Sequence, residues 1–373
     1  MNKIEEKILE LALKQTPSVE VLYEEGETRS VSFENNKLKY VNTKSIRGIG
    51  LRIIKDGRIG FSSTTDFRKP EKLVANAIES AKFGQVAAFD FPSINNFPKV
   101  AVLDQRVIDY PINKCVDIGK EAIEKALSVN SSYECSVGFG KGYGMLRLIN
   151  SKGLDISIAS TSFGLGIEIL QVKGQSLLWI GEGEGSKSLV TDISKHVDKA
   201  LRSLKLAEKE LKLKTGAYPV IVTAKAMGNL LATFETGCNG KLVQKGASPL
   251  TNRLGEKIID ERVSIYDDAT IDMADSSYPC DGEGTPSQRT PLFEKGVLKN
   301  YLFDLQTAGI MKAKSTGNGN RGLSSQPSPG NSNITVEPGT MSFEAMIKDI
   351  DMACWWIRYL AADRATSLQA NSP

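Results

Sequence analysis

The apolar positions of the first segment, Ile4, Ile8 and Leu11, fall on one side of a helix, with acidic residues between them. From residue 18 the period shortens to two. The runs VEVLYEEG and SVSFENNKLKYVNT alternate and are separated by polar turns, the pattern of half-buried strands. GIGLRIIKDGRIGFSST is a hairpin whose β-rich arms meet at Lys55-Asp56-Gly57-Arg58, where Asp-Gly supplies the positive φ angles of a tight turn. A helix then opens near Pro70, lines up Val74, Ile78 and Ala81, and stops at Gly84. FPSINNFPKV has no periodicity and reads as a connection. A second helix follows over residues 111–128, with Ile112, Val116, Ile123 and Leu127 in register.

Residues 132–190 return to strands, among them the run SFGLGIEILQV and a turn at Asn150-Ser151-Lys152-Gly153. A third helix starts near Thr191-Asp192 and carries Ile193, Val197, Ala200 and Leu204 on one face. Its charged continuation, AEKELKLKTG, predicts a domain boundary. Beyond it AYPVIVT reads as a buried strand feeding the helical stretch AMGNLLATFETG. The pattern predicts an α+β fold of two domains, each a mostly antiparallel sheet with packed helices, over residues 1–212 and 213–350, with a divergent tail at 351–373.

Composition narrows the classes of function. The chain has 373 residues, 40% of them hydrophobic and 24% charged, with 47 basic and 44 acidic residues well mixed. The resulting net charge of +3 argues for neither a nucleic-acid surface nor a membrane patch. Cys115, Cys135, Cys238, Cys280 and Cys354 are odd in number and scattered, with no C-x-x-C pair. That excludes a disulfide framework and a cysteine-type zinc site, and it suits a reducing cytosol. The amphipathic N-terminus is not a signal peptide, and no stretch approaches a membrane span, so a cytoplasmic location is expected.

His196, on the third helix, is the only histidine. One histidine cannot serve a Ser-His-Asp triad and a metal site together, which removes most familiar hydrolase chemistry. Without a ligand set beside it, it reads as a boundary residue with one ring nitrogen hydrogen-bonded and the other in water.

The stretches DGEGTPSQRTPLFEKGVLKNYLFD (281–304), STGNGNRG (315–322) and SNITVEPGTMS (332–342), taken with GLRIIKDGRIGFSST, resemble the TldD/PmbA family of peptidase-related proteins. The likeness runs from about residue 18 to about residue 350. It implies a two-domain α+β protein. It also implies one of two types: a TldD type with an H-E-x-x-x-H zinc motif, or a PmbA (TldE) type without it. The two types pair as a heterodimeric protease of unfolded peptides. In this chain NGKLVQKGAS occupies the place that follows the zinc motif, and the motif positions fall on Leu231, Ala232 and Thr236. The resemblance therefore implies a PmbA-type chain with no cofactor of its own and zinc in a TldD-type partner.

The chemistry agrees. A catalytic zinc takes about three protein ligands and a water, and a Glu removes a proton from that water. Leu, Ala and Thr do neither. Leu231 also lies in helical register with Met227 and Phe234, an apolar stripe that packs, while Glu235 reads as a solvated charge. Cys238 has no base beside it and reads as a small buried hydrophobe rather than a nucleophile.

The remaining motifs suit binding. Asp281 and Glu283 form a carboxylate pair of the kind used in acid–base work, though DGEGTP is equally a Gly- and Pro-rich turn. EKGVLKNYLFD reads as a hairpin around Lys295-Gly296, and STGNGNRG lacks the setting of a phosphate loop. By resemblance it shapes a peptide groove. The expected substrate contacts are Asp281, Glu283, Gly284, Thr285, Gly317, Asn318 and Gly319, with the peptide adding as a strand to a sheet edge. After EAMIKDI the resemblance stops. Trp355-Trp356 in the tail reads as a helical cap or as the product of a shifted frame, and Cys354 is not assigned as a ligand. The expected function is a non-catalytic partner subunit, with a homodimer as a possible form. The rivals are an independent peptide hydrolase using Asp281/Glu283 or Cys238, and a peptide-binding module without a proteolytic partner.

Overall fold

The computed structural model describes residues 4–93, 96–174, 176–207, 214–348 and 354–356. The first unit opens with helix α1 (Ile4–Leu13) and strands β1 (Ser18–Glu34), β2 (Lys37–Lys55) and β3 (Arg58–Thr64). Helices α2 (Pro70–Ala81), α3 (Gln105–Asp109) and α4 (Ile112–Val129) follow. Strands β4 (Glu134–Asn150), β5 (Asp155–Lys173) and β6 (Ser176–Ser186) and helix α5 (Ser194–Leu206) complete it. The six strands make one antiparallel sheet in the order β3-β2-β1-β4-β5-β6.

Side-chain alternation gives this sheet two unlike faces. Val19, Val21, Phe33, Ile53, Val137 and Ile167 point to the helical side. There α1 and α2 cover one end through Ile8, Leu73 and Ala77, and α4 and α5 cover the other through Ala122, Ala126, Val197 and Leu204. The opposite face carries Glu20, Leu22 and Glu24 and two cross-strand rows of glycine, Gly138–Gly166–Gly183 and Gly140–Gly164–Gly185. That face turns toward the second unit.

The second unit contains β7 (Val220–Val222), α6 (Ala224–Gly237), α7 (Gly240–Gln244), β8 (Ile265–Asp268), β9 (Arg289–Glu294) and β10 (Val297–Leu298). Then come α8 (Leu305–Ile310), β11 (Gly319–Asn320), β12 (Ser328–Pro329), β13 (Ile334–Val336), α9 (Phe343–Lys348) and β14 (Cys354–Trp356). A four-stranded antiparallel sheet has the order β10-β9-β8-β13, and β14 pairs in parallel with β7. Its core gathers Cys238, Val243, Ile265, Leu292, Phe293, Leu298 and Leu302. The α+β class is as the sequence predicts.

Both predicted hairpin turns form with two consecutive positive φ angles: 51° and 74° at Asp56 and Gly57, and 47° and 77° at Lys295 and Gly296. Three details differ from the sequence reading. The third helix begins at Ser194, and Asp192 stands ahead of it, its side chain accepting the Lys195 N–H. Residues 101–110, between the connection FPSINNFPKV and the second helix, carry no expected element and contain α3, capped by Asp104, whose single turn is too short to show a period. Trp355-Trp356 belongs to a strand rather than a helical cap. The expected boundary falls partly on residues 208–213, outside the described residues, as does the tail beyond 356. Among the described residues no helix is long and apolar enough to cross a membrane.

The helical layer seats closely. A Cβ on Gly119 of α4 would lie 2.4 Å from Cε2 of Phe33, which is fully buried on β1. Gly119→Val is expected to lower the urea midpoint with little change in slope. Overpacking costs about 1–3 kcal/mol, more than the gain of about 0.5 kcal/mol in helix propensity. An unchanged midpoint would show that the α4–β1 contact is loose.

Candidate functional site

The 281–286 segment is a turn that builds itself around one carboxylate. Asp281 Oδ1 accepts the backbone N–H groups of Glu283 and Thr285, both at 2.9 Å, and Oδ2 accepts that of Gly319 at 2.7 Å. Gly284 takes φ 76° and lies against Leu154, where a Cβ would come within 2.4 Å of Cδ2. Asp281 thus holds both its own turn and the Gly-rich 315–322 segment. Asp267 on β8 does similar work, accepting from Asn318 Nδ2 at 2.7 Å, Ser332 N at 2.6 Å and Ser332 Oγ at 2.9 Å.

Glu283 points the other way, into the first unit. Its Oε1 accepts from Arg52 Nη1 at 2.6 Å, and its Oε2 accepts the Leu305 N–H, at the start of α8, at 2.7 Å. Arg52 also makes a two-nitrogen fork on Glu20, with both bonds 3.1 Å, and Arg321 Nη1 donates to the same Glu20 at 2.6 Å. The rings of Phe89 and Phe91 lie 4.9 and 5.2 Å from the Arg52 guanidinium carbon. Side-chain exposure is 0% for Glu20 and Glu283, 2% for Arg52 and 3% for Arg321. Four charges from two units thus share one buried cluster.

Each of the four sequence motifs contributes to these contacts: Arg52, Glu283, Arg321 and Ser332 come one from each. Sequence reasoning named Glu283 and missed Glu20, Arg52 and Arg321. The available signal was a charge inside an apolar strand run, Glu20 in VEVLY and Arg52 in GLRII.

Burial works against the charge of Arg52, but Glu20 and Glu283 outweigh it and hold the guanidinium charged. Burial, then the Glu283 charge, push the Asp281 carboxyl up, while three backbone N–H groups pull it back. Glu283 is likewise raised by burial against the pull of Arg52. With every oxygen of the pair engaged, neither carboxyl is free to exchange a proton with a substrate. Cys238 is fully buried, and burial pushes its thiol up to about 12, far from a nucleophilic thiolate. His196 is more buried than its place on the helix suggested, only 4% exposed, with Nε2 3.3 Å from a Glu184 oxygen.

A cleft of about 620 Å³ lies between the open sheet face and the loops of the second unit. Asp281 and Gly319 border it, with Gly282 and Arg321 beside them and Gly26 and Gly144 on the sheet side. Glu283, Gly284, Thr285, Gly317 and Asn318 stand behind this wall rather than on it. The cleft crosses the face of the sheet, not an edge. Inside it, burial pushes the Glu24 carboxyl up, with Arg321 pulling it down. Burial pushes the Lys187 ammonium down, against the opposing charge of Asp275.

On α6, Leu231 and Phe234 pack against the second core, and the Phe234 and Phe293 rings meet edge-on at 5.3 Å. Ala232 and Thr236 are exposed, and the Thr236 hydroxyl donates to the Ala232 carbonyl at 2.9 Å. Glu235 is half-buried, its carboxyl raised first by burial and then by Asp267. This helix offers two apolar side chains and a hydroxyl turned onto its own backbone. A zinc ion does not fit that donor set. Among the described residues no group of three or more His, Cys, Asp or Glu side chains stands ready for a metal.

The fold and motifs define a peptidase-related α+β protein. The chain matches the PmbA/TldA metallopeptidase domain 1 over residues 19–81 and the PmbA/TldA metallopeptidase C-terminal domain over residues 215–367. The second match continues past residue 350, where the sequence reading ends the resemblance. An uncharacterized protein of Methanocaldococcus jannaschii is 32% identical over 337 residues, 89% of this chain and 78% of that one. A metalloprotease TldD homolog of Buchnera aphidicola is 25% identical over 378 residues, 94% of this chain and 76% of its own length. The crystal structure of TldE from Thermococcus kodakarensis superimposes with a TM-score of 0.86 at 23% identity, covering 94% of this chain and 81% of that one. The chain belongs to the TldD/PmbA family.

Arg52→Ala would leave buried Glu283 without its counter-charge and Glu20 with Arg321 alone, at a cost of about 3–5 kcal/mol in urea unfolding. A loss below about 1 kcal/mol would mean that water enters the cluster. Asp281 titrates higher in the folded chain than in the unfolded one. Its contribution is therefore fully present below the unfolded value, about 4, and is lost as pH rises through the raised folded value. The stability difference between wild type and Asp281→Asn, followed from pH 4 to 8, is expected to shift against the wild type as pH rises. A pH-independent difference would contradict that sign.

Proposed function

We propose that this chain is the non-catalytic, PmbA/TldE-type subunit of a protease of unfolded peptides, paired with a zinc-bearing TldD-type subunit. The observation that carries this reading is α6, where Leu231, Ala232 and Thr236 stand at the motif positions and two of the helix's side chains, Leu231 and Phe234, serve the core. Relatives named metalloprotease TldD homolog and metalloprotease PmbA homolog lie on both sides of the division. In this reading the partner contributes the metal and the proton-accepting Glu, and this chain contributes walls. Asp281 and Gly319 form one side of the peptide cleft. Gly26, Gly142 and Gly144 lie on the other side, on the sheet face, among Glu24, Ile46, Leu146 and Ile158, and leave room for an extended chain between those side chains. The engaged oxygens of Asp281 and Glu283 and the buried Cys238 thiol speak against independent hydrolysis.

The test is cleavage of an unstructured peptide by this chain alone, by a TldD-type subunit alone, and by the mixture, each with and without a zinc chelator. Expected is activity in the mixture well above that of either subunit, abolished by the chelator. Chelator-resistant cleavage by this chain alone would overturn the reading.

A further inference from the structure

Arg321 is bound at one end only. Its Nη1 donates to Glu20, while Nε and Nη2, both shielded from water, have no hydrogen-bond partner. Those two nitrogens lie along one edge of the planar guanidinium and present parallel N–H groups, the fork that grips a carboxylate with two bonds. Arg321 is fixed in place: Glu20 holds its tip, Asp281 anchors the preceding Gly319, and Gly282 packs under its Cγ, where a Cβ would come within 2.9 Å. Arg321 also lines the cleft, and no other arginine among the described residues does. A buried donor without an acceptor is costly to maintain, so a rigid arginine with two unpaired donors at the wall of a cavity is a site prepared for an acceptor.

The cleft is of mixed charge, with Glu24, Glu25 and Glu27 on its walls beside Lys44, Lys187 and Arg321. Glu20 accepts three bonds from two arginines and Glu283 is taken by Arg52, so no carboxylate of the cluster remains for the free edge of Arg321. Lys187 lines the same cleft, half-buried, and makes no salt bridge among the described residues. A ligand carboxylate would give both cations an acceptor.

We infer that the Nε/Nη2 edge of Arg321 binds a carboxylate group of the peptide in this cleft, either its C-terminal carboxylate or an acidic side chain. The inference rests on the peptide reading of the cleft and gives it a polarity: one charged group is fixed at Arg321 while the rest of the chain lies along the sheet face.

The test uses the full chain with ¹⁵Nε-labelled arginine. It is titrated with N-acetylglycine (a C-terminal carboxylate), with N-acetylglutamic acid α-amide (a side-chain carboxylate), and with neutral N-acetylglycinamide. Expected is a saturable shift of one Nε–H resonance, the one missing from Arg321→Lys, with a carboxylate and not with the amide. The carboxylate that saturates first names the source. Should Arg321→Lys fail to fold, the wild-type titration still decides. No shift with either carboxylate, or an equal shift with the amide, overturns the inference. In parallel, an unstructured peptide with both kinds of carboxylate neutralised is expected to bind at least about tenfold more weakly. Equal binding of charged and neutralised peptides would reject the carboxylate site and leave the peptide cleft standing. Binding of small carboxylates without binding of any peptide would keep the site and reject the peptide reading.

Discussion

A guanidinium cannot leave water without its counter-charge, and Arg52 has left water altogether. Its partners come from two places in the chain, Glu20 on the neighbouring strand and Glu283 on a turn of the second unit. That requirement orders much of what surrounds it. Arg52 and Glu20 sit directly opposite each other in the β1–β2 ladder, so the strand register sets half of the cluster. The turn that delivers Glu283 is closed by Asp281, which also fixes Gly319 and hence Arg321. Such an assembly adds little net stability over a well-packed apolar contact, but it tolerates few alternatives. Its value here is specificity: it admits one docking of the second unit on the sheet.

The cleft follows from that docking. Its two walls come from different units and face each other only because the cluster between them is complete. The sheet wall mixes Gly26, Gly142 and Gly144 with charged and apolar side chains such as Glu24, Lys44, Ile46 and Leu146. Helix α6 serves packing. Leu231 and Phe234 hold it on the second core, and Lys225 at its first turn meets the Gly181 carbonyl and Glu182 of β6. It bridges the two units.

What could be read from the sequence divides along the range of the interactions. Asp56-Gly57 and Lys295-Gly296 announced their turns because positive φ is a property of two adjacent residues. Pro70 marked its helix for a similar reason. The apolar stripe of α6 was legible because 3.6 residues per turn is a local rule. Arg52 was invisible as a site residue because its meaning lies in Glu283, 231 positions away, and that of Arg321 in Glu20, 301 positions away. Asp281 and Glu283 were read as a pair, yet one holds a loop and the other crosses to the first unit. Neighbours in sequence on a tight turn need not share a task. His196 sits deeper than its helix predicted because β6 brings Glu184 beneath it.

The pairing of β7 with β14 has a temporal side. Neighbouring strands of the large sheet mostly close through short turns, so much of that sheet can assemble as its residues become available. Val220–Val222 instead awaits Cys354–Trp356, and no strand between them in sequence substitutes for it. Closing so long a segment costs entropy before any contact returns it, which makes this a late event in folding. Until then β7 lacks its only partner strand among the described residues, and it leads directly into α6. A growing chain thus carries α6, and the edge of β7 beside it, unshielded for nearly the whole synthesis of its second half. That interval is when a chaperone has most to do.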